Sequence, residues 1–117
     1  MKNELNERLF NFATRCLKFL RFLPTTSEYK IIKYQLAKSS TSAGANYEES
    51  QAGSSKADFI NKVRIALREM RESNYWLRII DEIKEGEDFN FELKNLIKES
   101  EELKNILGAI IQKSRNS

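Results

Sequence analysis

A chain of 117 residues, 40% hydrophobic and 32% charged, is long enough to bury one core and too short to divide into two domains. One proline, four glycines and a single valine, Val63, argue against sheet and disorder and for long helices. The net charge is +3 and histidine is absent, which removes imidazole acid–base catalysis, Ser–His nucleophiles and Cys/His zinc sites together.

Helix one is expected over residues 2–23. Leu5, Leu9, Phe12, Cys16, Phe19 and Leu23 recur every three or four residues, the seam of an amphipathic helix, until Pro24 stops it. Cys16 lies in that seam as a small buried hydrophobe and, as the lone cysteine, has no internal disulfide partner. A second stripe, Phe10, Ala13, Leu17 and Leu20, makes this helix apolar on more than one side, so self-association is expected.

Thr25, Thr26 and Ser27 are candidate caps for helix two, expected over 27–52 with Tyr29, Ile32 and Leu36 inward and Gly53 as its stop. Ser55 with Asp58 three residues later begins helix three, over 55–85, which turns Phe59, Ile60, Val63, Ala66, Leu67, Met70, Leu77 and Ile80 inward. Gly86 breaks it, and Asp88 or Asn90 caps helix four, over 90–113, with Leu93, Leu96, Ser100, Leu103, Leu107 and Ile110 at seam spacing. Four helices with short links specify an all-α, antiparallel up-down four-helix bundle, one domain over residues 1–117.

Two polar patterns stand out. Arg64, Arg68, Arg71, Tyr75 and Arg78 are spaced four, three, four and three apart, which stacks them on one helical face about 20 Å long. Arg8 and Arg15 share a face of helix one and are candidates to extend the strip. Such a row suits a phosphate backbone, with Tyr75 stacking on a base. It equally suits a solvated face on which Arg68 pairs with Glu72 and Arg78 with Glu82.

The other pattern is a polar stripe in helix two, Gln35, Ser39, Ser42, Asn46 and Glu49, which keeps the rhythm of an apolar seam. Facing Ile65, Glu69, Glu72, Trp76, Ile79 and Ile83 of helix three, it would join Ser42, Asn46 and Glu72 in a buried hydrogen-bonded network. That network either fixes helix register or lines a small-molecule pocket.

Gln35-Leu36, Ser42-Ala43-Gly44-Ala45-Asn46-Tyr47-Glu48-Glu49, Asp58-Phe59 and the run from Ala66 through Glu72 to Trp76-Leu77 resemble the four-helix-bundle proteins encoded in intervening sequences of bacterial 23S ribosomal RNA genes. The resemblance spans nearly the whole chain, with Ser42, Asn46, Glu49 and Glu72 carrying the motif. Ser50 stands where the family usually has glycine, and Glu69 where it usually has a small residue. The resemblance implies assembly into a ring, a homopentamer. A related branch, the accessory subunits of diversity-generating retroelements, binds nucleic acid and a reverse transcriptase through a basic ring, so both are implied as partners here.

Enzymatic chemistry finds little support. Glu69 and Glu72 have the spacing of a carboxylate pair, yet the Glu-x-x-His partners of bundle di-iron sites are missing, and Gly44 and Gly53 stand alone rather than in a phosphate loop. No catalytic residue, metal or cofactor is expected. Residues 1–80 carry 14 basic against 8 acidic side chains and residues 81–117 carry 6 against 9, a weak sign of a polyanion partner. The polar start, Met1 to Arg8, and the lack of ~18 consecutive apolar residues indicate a cytoplasmic protein off the membrane. The expectation is a non-enzymatic homo-oligomer that binds nucleic acid, RNA rather than DNA, through helix three. The alternative is a protein-interaction scaffold that touches no nucleic acid.

Overall fold

The computed structural model describes residues 4–53 and 55–116. Four helices run in order, α1 (Glu4–Leu20), α2 (Ser27–Ser50), α3 (Lys56–Ile83) and α4 (Asn90–Arg115). The body measures 48 × 24 × 22 Å, close to the length of its longest helix at ~1.5 Å per residue.

α1 stops at Leu20, three residues earlier than its seam suggests. The amides of Arg21, Phe22 and Leu23 donate to the carbonyls of Lys18, Phe19 and Leu20, a tightened last turn that leads into Pro24. Leu23 is nevertheless buried, so the seam continues into the turn. Thr26 caps α2 by position, in an extended conformation and without a side-chain cap bond. Ser55 caps α3 as its sequence indicates, its Oγ accepting from the Asp58 amide at 3.1 Å. Gly53 (φ 84°) and Gly86 (φ 90°) both take the left-handed conformation at the chain reversals. At α4 the expected cap differs: Phe89 occupies the capping position with no side-chain bond, Asn90 is the first helical residue, and its buried Oδ1 has no partner.

The links are short, so neighbouring helices alternate in direction. Residue pairs confirm this for the first and last helices: Arg8 reaches Glu99 while Arg15 reaches Glu92. α1 packs against α2 and α4, and α3 packs against the same two helices. Among the described residues no Cα of α1 lies within 8 Å of one in α3, so the two helices sit on a diagonal of the bundle. α1 approaches α2 closely at Gly44, where an added methyl would lie 3.5 Å from Leu9 Cβ.

The core contains Leu9, Phe12, Cys16 and Phe19 from α1, and Tyr29, Ile32, Leu36, Ala43 and Tyr47 from α2. Val63, Ala66, Leu67, Met70, Leu77 and Ile80 of α3 meet Leu93, Leu96, Leu103 and Leu107 of α4. In the last turns Ile111 takes the inner position and Ile110 is only half-buried. A strict seven-residue repeat drifts about 20° per heptad on a straight helix, so the seam moves one residue by the helix end. The second stripe of α1 divides: Ala13 and Leu20 are buried, whereas Phe10 and Leu17 are 61% and 39% exposed.

Candidate nucleic-acid interface

Arg64, Arg68, Arg71, Tyr75 and Arg78 all lie exposed on α3, each turned about 100° or more around the helix from the nearest of Val63, Met70 and Leu77 of the core. Three to four residues per step keep them on one side of the helix over roughly 21 Å at ~1.5 Å per residue. Neither i, i+4 ion pair expected of a merely solvated face forms. Arg68 Nε lies 3.7 Å from Glu69 Oε2, and Arg78 Nε donates to the neutral Asn74 Oδ1 at 2.8 Å. Among the described residues Arg64 and Arg71 have no ion-pair partner, so their charge faces water. Arg78 also stacks over Tyr75, its Cζ 5.8 Å from the ring centroid.

Arg8 and Arg15 do not extend this strip. They sit on α1, diagonal to α3, and α4 carboxylates neutralise both. Arg8 donates to Glu99 through Nε (3.0 Å) and Nη2 (2.7 Å), with Glu102 at 3.3 Å, and Arg15 donates to Glu92 through Nε (3.1 Å) and Nη2 (2.9 Å). The hydrogen bonds that Arg8 donates to Glu99 and Arg15 to Glu92 raise the two guanidinium pKa values, against the opposing effect of burial. A bidentate pair satisfies both charges within the fold.

The buried network expected from Ser42, Asn46, Glu49 and Glu72 is not assembled. Asn46 Nδ2 donates to the carbonyl and Oγ of Ser42 one turn back, Glu72 accepts from Trp76 Nε1 at 3.3 Å, and Glu49 is exposed. Each of these side chains bonds within its own helix or faces outward. Buried hydrogen bonds across helices come instead from other residues: Ser39 Oγ meets Ser73 Oγ at 2.7 Å between α2 and α3, and Asn74 Nδ2 donates to Ser100 Oγ at 2.8 Å between α3 and α4. All four residues are buried. Ser73 and Asn74 fill the inward positions between Met70 and Leu77, and that gap in the apolar seam was the available signal.

Of the two departures from the resembled family, Ser50 is accommodated by donating to the Tyr47 carbonyl, and Glu69 lies half-buried beside Arg68. A cleft of about 310 Å³ opens at the end of α1, lined by Phe19, Phe22, Phe89 and Phe91 with Lys18 and Asp88 at its rim. Phe22 is 73% and Phe91 82% exposed. Among the described residues no three His, Cys, Asp or Glu are grouped to hold a metal, and no helix is long and apolar enough to cross a membrane.

The comparisons with known proteins agree with this architecture. No curated protein matches the chain. A solved structure from Bacteroides thetaiotaomicron, described as a protein of unknown function from the S23 ribosomal protein family, is similar at 31% identity. The match covers 92% of this chain and 97% of that one, with a TM-score of 0.80. The model of the 23S rRNA-intervening sequence protein family matches residues 1–109. With four antiparallel helices, the Ser42–Glu49 motif on α2 and a match along nearly its full length, the chain belongs to the 23S rRNA-intervening sequence protein family.

Proposed function

We propose that the protein is a non-catalytic homo-oligomer that binds nucleic acid, RNA in preference to DNA, along the arginine face of α3. The observation that carries this reading is the exposed α3 row in which Arg64 and Arg71 lack an acidic partner among the described residues. The other two arginines of the row are only lightly engaged. Arg8 and Arg15 are neutralised within the fold and Arg21 and Arg115 stand singly at helix ends, whereas the α3 row gathers four guanidiniums on one helix face, which favours an external anion. The absence of histidine, and the burial that pushes the Cys16 thiol pKa up to about 12, support the non-catalytic part of this reading.

Self-association belongs to the same reading. Phe10 and Leu17 stand beside Thr41, Gly44 and Ala45 in a shallow groove of about 330 Å³ between α1 and α2, a surface suited to a second copy. A ring of five, as the family resemblance implies, would repeat the arginine face and turn a weak strip into a multivalent one.

The test is RNA affinity against salt. Each phosphate contact on a single strand contributes about 0.7 to the salt slope, so Arg64→Glu/Arg71→Glu should lower the slope by about 1.4 and weaken binding. Arg8→Gln/Arg15→Gln should leave both unchanged. Equal affinity and slope in the α3 variant would defeat the reading, as would a monomer at micromolar concentration by light scattering for its oligomeric part.

A second reading is a scaffold that docks a partner protein, such as a polymerase, and touches no nucleic acid. The exposed Phe22 and Phe91 around their cleft favour it. A partner retained from nuclease-treated lysate, and lost in Phe22→Ser/Phe91→Ser, would support this reading over the first.

A further inference from the structure

The five side chains of the α3 face are not equivalent. Arg64 and Arg71 extend from exposed positions without a hydrogen-bonded anchor among the described residues. Arg78 is held at one edge: its Nε donates to Asn74 Oδ1 at 2.8 Å. Asn74 is only 3% exposed and is itself fixed, its Nδ2 donating to Ser100 Oγ at 2.8 Å. Ser100 Oγ in turn donates to the Ile97 carbonyl at 2.7 Å. A continuous hydrogen-bonded chain therefore runs from the α4 backbone through the α3–α4 contact to a surface guanidinium.

That chain uses only Nε of Arg78. Among the described residues its Nη groups have no partner, and its plane is placed 5.8 Å from the Tyr75 centroid. Tyr75 is 49% exposed, and Trp76 packs edge-on to it at 5.4 Å. Trp76 is tied down through Nε1 to Glu72. A half-exposed aromatic ring with a held guanidinium over it can take a base on its remaining exposed surface and a phosphate on Nη. In a duplex the base faces are already stacked on one another, so a ring at the surface gains nothing from them.

We propose that Tyr75 and Arg78 form a platform that takes an unpaired nucleotide, base on Tyr75 and phosphate on Arg78, with Asn74 as the residue that positions Arg78. The inference rests on the nucleic-acid reading above and narrows it to single strands. Holding one rotamer-rich side chain in place before binding spares an ordering cost equivalent to about 2- to 13-fold in affinity. Base–aromatic stacking is equivalent to about 5- to 150-fold per base.

The experiment uses the full chain with three probes: a 12-nucleotide oligouridylate, an oligothymidylate of equal length and a 12-base-pair RNA duplex. Anisotropy of the labelled probes reports affinity. The emission of Trp76, the single tryptophan, reports contact at its neighbour Tyr75. Either single strand should bind more tightly than the duplex and quench Trp76, while the duplex does not quench. Tyr75→Ala should weaken single-strand binding about tenfold and abolish quenching, with duplex affinity within twofold of the wild type. Tyr75→Phe, which keeps the ring, should restore both. Asn74→Leu should weaken single-strand binding about fivefold with the duplex unchanged.

If Tyr75→Ala and Asn74→Leu affect strand and duplex alike, or neither, while Arg64→Glu/Arg71→Glu still weakens binding, the platform is refuted and the arginine strip survives. If the wild type binds none of the probes, both fall. Because Tyr75 is a surface residue, its variants test the platform even if Asn74→Leu destabilises the fold.

Discussion

Removing the hydroxyls of Ser39 and Ser73, singly and together, measures what holds α2 in register against α3. Both side chains are fully buried and their oxygens lie 2.7 Å apart. In Ser39→Ala, Ser73 keeps its bond to the Glu69 carbonyl at 3.1 Å. The loss is then one net hydrogen bond, about 1 kcal/mol, offset by about 0.5 kcal/mol of helix propensity. Ser73→Ala costs more, because the remaining acceptor for Ser39, the Leu36 carbonyl, is at 3.4 Å. A poorly satisfied buried hydroxyl brings that loss to about 1.5 kcal/mol before the same offset. The double variant replaces the pair with two facing methyl groups and should lie within about 0.5 kcal/mol of the wild type. The singles would sum to about 1.5 kcal/mol, so the cycle should show a coupling of roughly 1 kcal/mol or more. At about 2.1 cal/mol/K per residue the unfolding entropy of 117 residues is roughly 0.25 kcal/mol/K, which makes the single losses about 2–4 °C in Tm. Urea unfolding followed by far-UV circular dichroism, with thermal melts alongside, reads both quantities. Additive losses, with the double variant less stable than either single, would refute the view that these hydroxyls act as one unit.

Three further outcomes follow from particular sites. Gly108→Ala should stabilise by about 1 kcal/mol, near 4 °C in Tm, because a methyl group there meets nothing within 4 Å in mid-helix; Gly53→Ala, forced to hold φ 84°, should destabilise by about 1–2 kcal/mol in the same melts. Cys16 should resist a thiol reagent at pH 8 unless urea is added, since burial pushes its pKa up to about 12. The unfolded thiol ionises first as pH rises past about 9, so stability is full below that and falls by roughly 1.4 kcal/mol per unit above it; Cys16→Ala should flatten this slope in urea titrations between pH 8 and 10.5. The Asp81 carboxyl, bonded to Lys94 Nζ at 2.8 Å, is held below the ordinary carboxylate range. Its contribution, about 1 kcal/mol or less at this exposure, is present above pH ~4 and disappears as pH falls through the lowered pKa; Asp81→Asn should therefore be less stable at pH 6 and indistinguishable from the wild type near pH 2.

How much of the molecule was legible in its residues differs from feature to feature. The seams of Leu9–Phe19, Tyr29–Leu36, Val63–Ile80 and Leu93–Leu107 announced four helices because burial in a bundle follows the helical period closely. Pro24, Gly53, Ser55 and Gly86 marked their ends for local reasons of backbone geometry. Local signals misled where they competed with packing: Asp88 and Asn90 have capping side chains, yet Phe89 takes the cap position while its ring packs edge-on against Phe19 at 5.5 Å. The exposed row from Arg64 to Arg78 was also readable, since five positions on one helix share a face whatever surrounds the helix.

Which polar groups would meet across helices was not. Ser39 and Ser42 both belong to the same polar stripe, but only Ser39 is turned far enough inward to reach Ser73, a matter of about one helical step. Arg8 and Arg15 carry the same charge and much the same spacing as the arginines of α3. Their fate depended on α4 lying beside α1 and bringing Glu92 and Glu99 within reach, while α3 stood on the far diagonal. Periodicity along one chain sets which side of a helix is apolar; it carries no information about which neighbour that helix will face. Helix content, and most of the helix ends and inward residues, were therefore settled by the amino-acid order alone. Packing four rods in a square decided which charges are cancelled and which remain free, because ion pairing depends on distances between segments far apart in sequence.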